Sequence, residues 1–439
     1  MKYQLVLAGG GARGSYQVGV WKALRELNIE IDMVIGTSVG SVNGAAVVCD
    51  AFVQAEHLWK TLDMPTLFDI TYNKEDGEPN SSEYIESILK NKGLDTSTLK
   101  CYLEQVIDED VLRNSPIDYA LVTFSLTQMK PVILFKKDIP KGKVVDFILA
   151  SSAVPGFKKQ EIDGELYIDG GIYDNLPINI LIDHGYKNII AVSNAAIGVY
   201  RKVKESDANI MYIENQQIQG GILEFDPQIA AKNILLGYLD GMKAFGKYIG
   251  QSYYISDTAT HDYAKPLTEK EIEMLYLNVK NNKKNIMGSV VQFSLLRTLR
   301  HHTDGLLTAK KVFFAAMEIT ADTFGIEKIR PYTPEQLITK IMAAYRSAKS
   351  EHSQIMKEKK NFVKNLLGKI WDKNKIRINS KAARKLFLGH VLIDKENPSI
   401  SSNTTTEYLI SNLFIYLMLW RRKKIMKKTG DKNGRDNQE

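Results

Sequence analysis

The chain has 439 residues, of which 44% are hydrophobic and 25% charged, and its formal net charge is +7. This balance is typical of a globular protein with two or three folded units, and it excludes a largely disordered chain. Eight cations and only three acids lie in residues 421–439. The rest of the chain is therefore nearly neutral, which argues against a basic body that binds nucleic acid.

The first half of the chain alternates between short apolar runs and helical patterns. Tyr3–Ala8 and Ile31–Ile35 are predicted strands, and Arg13–Leu27 and Ser38–Ala51 are predicted helices. Such alternation is typical of a parallel sheet with right-handed crossovers. Five further elements and one surface loop are predicted: strands at Tyr119–Leu126, Val132–Lys136, Leu166–Ile168 and Asn188–Val192, a helix at Val144–Ser152, and a loop at Asn73–Ser82.

The second half has mostly helical patterns. Asp226-Pro227 is a helix start, with Asp as the N-cap, and the helix is predicted to continue to about Ile249. Residues 267–388 are mostly helical in pattern and rich in Lys. We predict a catalytic domain at 1–200, a helical extension packed on it at 201–300, and a helical C-terminal region at 301–439.

Residues 408–420 form a nearly continuous apolar segment that a basic tail, 421–439, follows at once. Its thirteen residues are fewer than the roughly 20 that span a bilayer. Two interpretations stay open. The segment is a core helix, or residues 408–428 form an interfacial helix whose cations meet anionic headgroups.

Cysteine usage bears on the compartment. Cys49 and Cys101 are the only cysteines and have no paired spacing or neighbouring His cluster. No disulfide framework or metal site is predicted, and a reducing compartment, the cytoplasm, is favoured.

A glycine-rich loop follows the first predicted strand. Its spacing matches a dinucleotide-binding fingerprint, but that fold needs an acid at the end of the second strand, where Asp32 lies at the wrong end. In a hydrolase the same loop supplies an oxyanion hole, with backbone amides from Gly10, Gly11 and Ala12 as the expected donors. Arg13 contributes either charge or a pinning hydrogen bond. The loop consists of Gly9, Gly10, Gly11, Ala12, Arg13 and Gly14.

The second predicted strand ends in Gly36-Thr37-Ser38-Val39-Gly40. A Gly-x-Ser-x-Gly turn between a strand and a helix is typical of a nucleophile elbow, in which Gly36 and Gly40 leave room for Ser38. The alternative is an ordinary turn in which Ser38 caps the following helix.

Asp169-Gly170-Gly171 follows a third predicted strand. An Asp-Gly turn is common, but after the two other motifs Asp169 becomes the candidate base for Ser38. A Ser-Asp-His triad is disfavoured because no histidine lies in a loop after a late strand. His184, the first histidine downstream of Asp169, is expected at a helix end.

The three motifs, in this order, resemble the signatures of patatin-like phospholipases. The similarity extends to Ile148–Gly156 and Tyr173–Pro177 and covers roughly residues 3–195. The resemblance implies a three-layer α/β/α domain with a mainly parallel sheet, here with a mostly helical C-terminal extension. It also implies a Ser38–Asp169 dyad, an oxyanion loop at Gly9–Gly14, a base motif that includes Gly170 and Gly171, and no metal or cofactor.

We therefore expect a cytoplasmic or membrane-peripheral lipid acyl hydrolase, of phospholipase A or lysophospholipase type, whose substrate is a lipid or phospholipid ester. No nucleic-acid partner is expected. Two other hypotheses remain: a non-catalytic membrane-associated protein that retains the fold, and a nucleotide-binding oxidoreductase that uses the glycine loop.

Overall fold

The computed structural model describes residues 1–63, 67, 96–154, 157, 159–272, 275, 287–303, 305–366 and 406–433. The predicted loop Asn73–Ser82 and the end of the helical region, 367–388, lie outside these residues. The chain divides into two compact units, Met1–Gly246 and Lys247–Glu439. This single boundary differs from the predicted divisions at residues 200 and 300.

The first unit is built on an eight-stranded sheet, with the spatial order β5-β6-β3-β2-β1-β7-β8 and with β4 paired to β3. The pairs among β1, β2, β3, β7 and β8 are parallel, and β4 and β6 are antiparallel to β3. The strands are β1 (Tyr3–Leu7), β2 (Ile31–Thr37), β3 (Asp118–Ser125), β4 (Lys130–Phe135), β5 (Gln160–Ile162), β6 (Glu165–Asp169), β7 (Asn188–Val192) and β8 (Asn209–Ile213).

Helices flank this sheet, in agreement with the predicted three-layer α/β/α class. Alternate residues of a strand face opposite sides. Val6 and Ile35 pack with Leu181 on one side, whereas Leu7 and Val34 lie next to Gly44 on the other. The helices are α1 (Ser15–Glu26), α2 (Val39–Val48), α3 (Phe52–Thr61), α4 (Ser97–Val106), α5 (Glu109–Asn114), α6 (Val144–Ser151), α7 (Ile178–Asp183) and α8 (Pro227–Ala244).

Helix α8 belongs to the first unit because it packs against α1 at backbone distance. A Cβ added to Gly19 would lie 1.9 Å from the Ile234 carbonyl oxygen, and one added to Gly237 would lie 2.0 Å from that of Tyr16. The buried Tyr16 hydroxyl donates to Asp240 at 2.8 Å. This contact packs α8, part of the predicted helical extension, against the first unit.

Strand β3 brings the ends of two other strands together. Strand β2 pairs with β3 up to Thr37 opposite Val122, and β6 pairs with it up to Asp169 opposite Thr123. Because β4 occupies the other edge of β3 there, β2 and β6 lie end to end along one edge. The residues that follow Thr37 and the carboxylate of Asp169 therefore meet beside β3.

The second unit is mostly helical. Its core joins Phe313 and Met317 to Leu337, Phe414 and Leu417. Its elements are β9 (Tyr254–Ile255), α9 (Met287–His301), α10 (Ala309–Thr323), β10 (Pro331–Tyr332), α11 (Pro334–Leu366) and α12 (Thr406–Asn433).

Helix α12 contains the apolar segment 408–420, and several of its apolar side chains are buried in this core. Leu409, Ile410, Phe414 and Leu417 are each at most 4% exposed. This burial favours the core-helix interpretation. Among the described helices, none is both long and apolar enough to cross a bilayer.

Arg421, the first cation of the predicted basic tail, is buried in the second unit. Its guanidinium forms a two-pronged ion pair with Glu271, at 2.8 and 2.7 Å, and donates to three backbone carbonyls. These bonds to Arg421 help to hold the pKa of Glu271 down at about 2, against the opposing effect of burial, which is the largest single influence. Arg421 therefore takes part in the fold and does not face solvent.

Candidate functional site

Ser38 lies in a strained turn between β2 and α2. Its φ is 55° and its ψ −131°, a backbone conformation that residues with a side chain rarely adopt. The Ser38 hydroxyl forms no capping hydrogen bond with α2. The alternative in which Ser38 serves as an ordinary cap is therefore not supported.

The glycines on either side of Ser38 are required by close backbone contacts. A Cβ on Gly36 would lie 2.1 Å from the Gly40 carbonyl oxygen, and a Cβ on Gly40 would lie 2.1 Å from that of Leu7. Such distances are far below van der Waals contact. The turn can thus press against β1 only with glycine at both positions.

The end of helix α6 holds both sides of the site. The Ser151 hydroxyl accepts from the Ser38 amide at 2.9 Å and donates to the Val122 carbonyl at 2.7 Å. Two residues later, the Ala153 carbonyl accepts from the Asp169 amide at 3.0 Å. Ser151 was not predicted as a site residue, although it lies in the segment that carries the family resemblance.

Asp169 is a buried carboxyl at the end of β6. One oxygen accepts a hydrogen bond from the Gly171 amide at 2.7 Å. The other oxygen, Oδ2, is buried and accepts no hydrogen bond from any described residue. Burial raises the pKa of Asp169 to about 6, while the nearby Ser38 hydroxyl and the Gly171 amide act in the opposite direction. The carboxylate can therefore accept a proton close to neutral pH.

The glycine loop lies against the serine turn. A Cβ on Gly9 would be 3.0 Å from the Ser38 Cβ. The amide of Gly9 donates to Asn175, that of Ala12 to Ile222, and that of Arg13 to Gly10. Between Gly9 and Arg13, only the amides of Gly10 and Gly11 have no acceptor among the described residues. Of the three expected oxyanion donors, Gly10, Gly11 and Ala12, only Gly10 and Gly11 therefore remain candidates.

Arg13 pins the loop to two neighbouring segments. Its guanidinium donates to the Gly220 carbonyl at 2.8 Å and to the Ala195 carbonyl at 2.7 Å. Of the two predicted roles of Arg13, the pinning hydrogen bond is the one for which the structure provides the contacts.

Beneath the loop lies a buried polar network that the sequence patterns did not reveal. Trp59 donates to Asn43, and Asn43 donates to Gln17 and to the Gly14 carbonyl. Gln17 in turn donates to the Ala8 carbonyl at 2.7 Å. A buried Asn and a buried Gln on otherwise apolar helix faces were the available signal, because such groups need partners.

His184 lies at the end of α7, where its ring nitrogen contacts the Ile180 carbonyl, as predicted for a helix end. In the described part of the chain, no group of three or more His, Cys, Asp or Glu side chains could hold a metal ion.

The fold and the site define a class: α/β proteins with a serine turn at the carboxyl end of a parallel strand. Residues 5–182 match the model of the patatin-like phospholipase family. This match covers less than half of the chain, and it falls on the region that carries the three motifs.

Several curated proteins are similar to the same region. Patatin-like phospholipase domain-containing protein 7 of Mus musculus is 28% identical over 198 residues, which cover 43% of this chain and 13% of that protein. Lysophospholipase NTE1 of Mycosarcoma maydis is 27% identical over 210 residues, 45% of this chain and 10% of that protein. An uncharacterized NTE family protein of Mycobacterium bovis is 31% identical over 191 residues, with coverage of 43% and 48%.

Two solved structures are also similar. VipD from Legionella pneumophila has a TM-score of 0.35 at 12% identity and covers 88% of this chain and 89% of its own. The ExoU–SpcU complex of Pseudomonas aeruginosa has a TM-score of 0.33 at 13% identity, with coverage of 94% and 89%. At these TM-scores the likeness carries no further argument.

Proposed function

We propose that this protein is a lipid acyl hydrolase of phospholipase A or lysophospholipase type, with Ser38 as nucleophile and Asp169 as base. The proposal rests above all on the two strand ends that meet beside β3, one carrying a strained serine and the other a buried carboxyl. The match of residues 5–182 to the patatin-like phospholipase family supports a lipid ester as the substrate class.

The acylation step uses the ionised form of Asp169. Asp169 takes the hydroxyl proton of Ser38 while Oγ attacks the ester carbonyl carbon. The tetrahedral intermediate then collapses, the bond to the alcohol oxygen breaks, and Asp169 returns the proton to the leaving alcohol. The fatty acyl group stays on Ser38 as an ester.

Deacylation repeats the same proton movements with water. Asp169 takes a proton from a water molecule whose oxygen attacks the acyl carbonyl, and then returns that proton to Ser38 Oγ as the fatty acid leaves. A pKa of about 6 suits both directions, because general acid-base catalysis is most efficient when the pKa lies near the working pH.

The amides of Gly10 and Gly11 stabilise the negative oxygen of each intermediate. They have no acceptor among the described residues, so an oxyanion would not compete with a bond already formed. Loss of one such donor typically costs about 2.7–4 kcal/mol of transition-state stabilisation. The two amides therefore account for a large share of the rate enhancement.

The test is hydrolysis and labelling by purified variants. Ser38→Ala and Asp169→Asn should each abolish fatty-acid release from a panel of phosphatidylcholine, lysophosphatidylcholine and triacylglycerol. A fluorophosphonate probe should label the wild type and not Ser38→Ala. Ser152→Ala is the matched control, since its buried hydroxyl has no partner in the described part of the chain and its removal should leave labelling intact.

Three outcomes separate the alternatives. Full activity of Ser38→Ala or Asp169→Asn would refute the dyad. A folded wild-type protein that neither hydrolyses any lipid nor reacts with the probe would favour the non-catalytic hypothesis. Stabilisation by a nicotinamide dinucleotide in a thermal-shift assay would favour the oxidoreductase.

A further inference from the structure

Exposed apolar side chains lie on the chain segments next to the candidate active site. Ile197 is 96% exposed, and four further side chains are between 40% and 46% exposed. A soluble domain rarely groups such residues without a binding role. We call this group the apolar rim: Ile172, Ile197, Val199, Tyr200 and Ile222.

Backbone contacts fix the rim to the site. Val199 exchanges hydrogen bonds with Gly171 and Asn175, at 2.9 and 2.7 Å, so its loop runs alongside the Asp169 turn. On the other side, the Ile222 carbonyl accepts from the Ala12 amide at 2.8 Å. The rim residues therefore lie on both sides of the glycine loop and next to the base.

Hydrogen bonds fix the conformation of residues 195–200, the loop that carries Ile197, Val199 and Tyr200. The Tyr200 hydroxyl accepts from Asn175 at 3.0 Å and donates to the Ala196 carbonyl at 2.9 Å, so its polar atom is satisfied while its ring is exposed. Arg13 bonds the Ala195 carbonyl at the start of this loop. A rigid loop loses little conformational entropy when its tip enters an apolar phase.

The charged residues next to the apolar rim indicate what kind of surface the rim contacts. Residues 195–208 contain three cations, which follow the apolar tip directly, and then two acids, Glu205 and Asp207, of which Asp207 pairs with Lys187. Arg201 and Lys204 have partners, whereas Lys202 is exposed and has no salt bridge among the described residues. An apolar tip followed by cations suits the boundary between the acyl chains and the anionic headgroups of a bilayer.

We infer that the apolar rim docks this protein onto an anionic lipid surface, with the Ser38 turn and the glycine loop facing the bilayer. The inference rests on the proposed function, because it makes aggregated lipid the form in which substrate is presented. It also places a membrane contact in the first unit, in addition to the predicted contact at residues 408–428, where Leu409, Phe414 and Leu417 are buried.

The experiment compares binding to lipid with turnover of a soluble ester. Ile197→Glu places a charge at a fully exposed tip and should not disturb folding. Binding of the full chain is measured by co-sedimentation with vesicles of ether-linked phosphatidylcholine and phosphatidylglycerol at 3:1, which cannot be hydrolysed. We expect the partition coefficient of Ile197→Glu to fall about tenfold or more, with hydrolysis of a monomeric short-chain ester unchanged within about twofold.

The matched control is Val53→Glu. Val53 is 73% exposed and follows Phe52, whose ring lies against Arg25 near the end of α1. The candidate site lies at the other end of α1, roughly 15 Å away along that helix. Its vesicle binding should equal that of the wild type. Lys202→Glu should weaken binding to the anionic vesicles and leave binding to pure ether-linked phosphatidylcholine unchanged.

Each outcome has one meaning. Unchanged vesicle binding by Ile197→Glu overturns the inference, and so does a wild-type dimer that this variant converts to a monomer while vesicle binding persists. If the wild type binds vesicles through the rim but does not hydrolyse the monomeric ester, the docking surface stands and the proposed function fails.

Discussion

The substitution Asp169→Asn should raise the free energy of unfolding, although it abolishes the proposed hydrolysis. The pKa of Asp169 rises from 3.8 to about 6 on folding, so the native state favours the protonated carboxyl. At about 1.36 kcal/mol per pKa unit, ionised Asp169 costs the folded state about 3 kcal/mol at pH 8. The side-chain amide of the variant carries no charge at any pH and avoids this cost.

The sign of the effect determines its pH dependence. Because the folded pKa is the higher one, native Asp169 binds a proton more tightly than the unfolded chain does, and stability falls as pH rises from 3.8 toward 6. At pH 4.5 the cost is only about 1 kcal/mol. The advantage of the variant should therefore grow by about 2 kcal/mol between pH 4.5 and pH 8.

The assay is urea unfolding of wild type and variant at the two pH values. Contacts that the substitution itself gains or loses contribute equally at both, so the difference between pH values isolates the ionisation of Asp169. The control substitution is Asp138→Asn, at an exposed carboxyl of the same unit. A stability difference that is the same at pH 4.5 and pH 8 would refute a raised pKa at Asp169.

Three other predictions concern turnover, the serine turn and the second unit. First, kcat/KM for a neutral monomeric ester should rise with pH around a midpoint near 6, because Asp169 must be ionised to act as a base; a flat profile between pH 5 and pH 8 would contradict this. Second, Gly36→Ala should prevent soluble expression, since its Cβ would lie 2.1 Å from a carbonyl oxygen, whereas Gly221→Ala, with no neighbour nearer than 3.7 Å, should express normally. Third, Arg421→Ala leaves a buried carboxylate unpaired and should lower the free energy of unfolding by about 3–5 kcal/mol. In the same urea titration, exposed Arg422→Ala should stay within about 0.5 kcal/mol of the wild type.

The sequence predicted the parts of the site better than their assembly. Each motif follows an apolar strand, so the elements around Gly9–Gly14, Ser38 and Asp169 could be predicted from local patterns. Their meeting point could not, because it depends on the register of two strands against β3, which residues distant in sequence determine. The sequence also could not show which loop amides already donate a hydrogen bond, since the acceptor for the Ala12 amide is the carbonyl of Ile222, 210 residues later.

The C-terminal segment shows a different limit. An apolar run next to a cationic run is the same pattern whether a core or a bilayer covers it, and periodicity does not distinguish the two. Tertiary packing distinguishes a core helix from an interfacial one: Phe414 and Leu417 pack with Phe313, and Arg421 forms an ion pair with Glu271. Neither partner is a neighbour in sequence.

The loops beside the Gly10 and Gly11 amides are joined by backbone hydrogen bonds and by the side chain of Arg13, and not by the exposed apolar side chains. Arg13 bonds the carbonyls of Ala195 and Gly220, and Val199 bonds by its own amide and carbonyl. Side chains at 197, 199 and 222 can therefore be exchanged while the donors stay in position. Substitutions at these three positions should therefore change the surface that the protein binds, with little effect on the proposed ester hydrolysis.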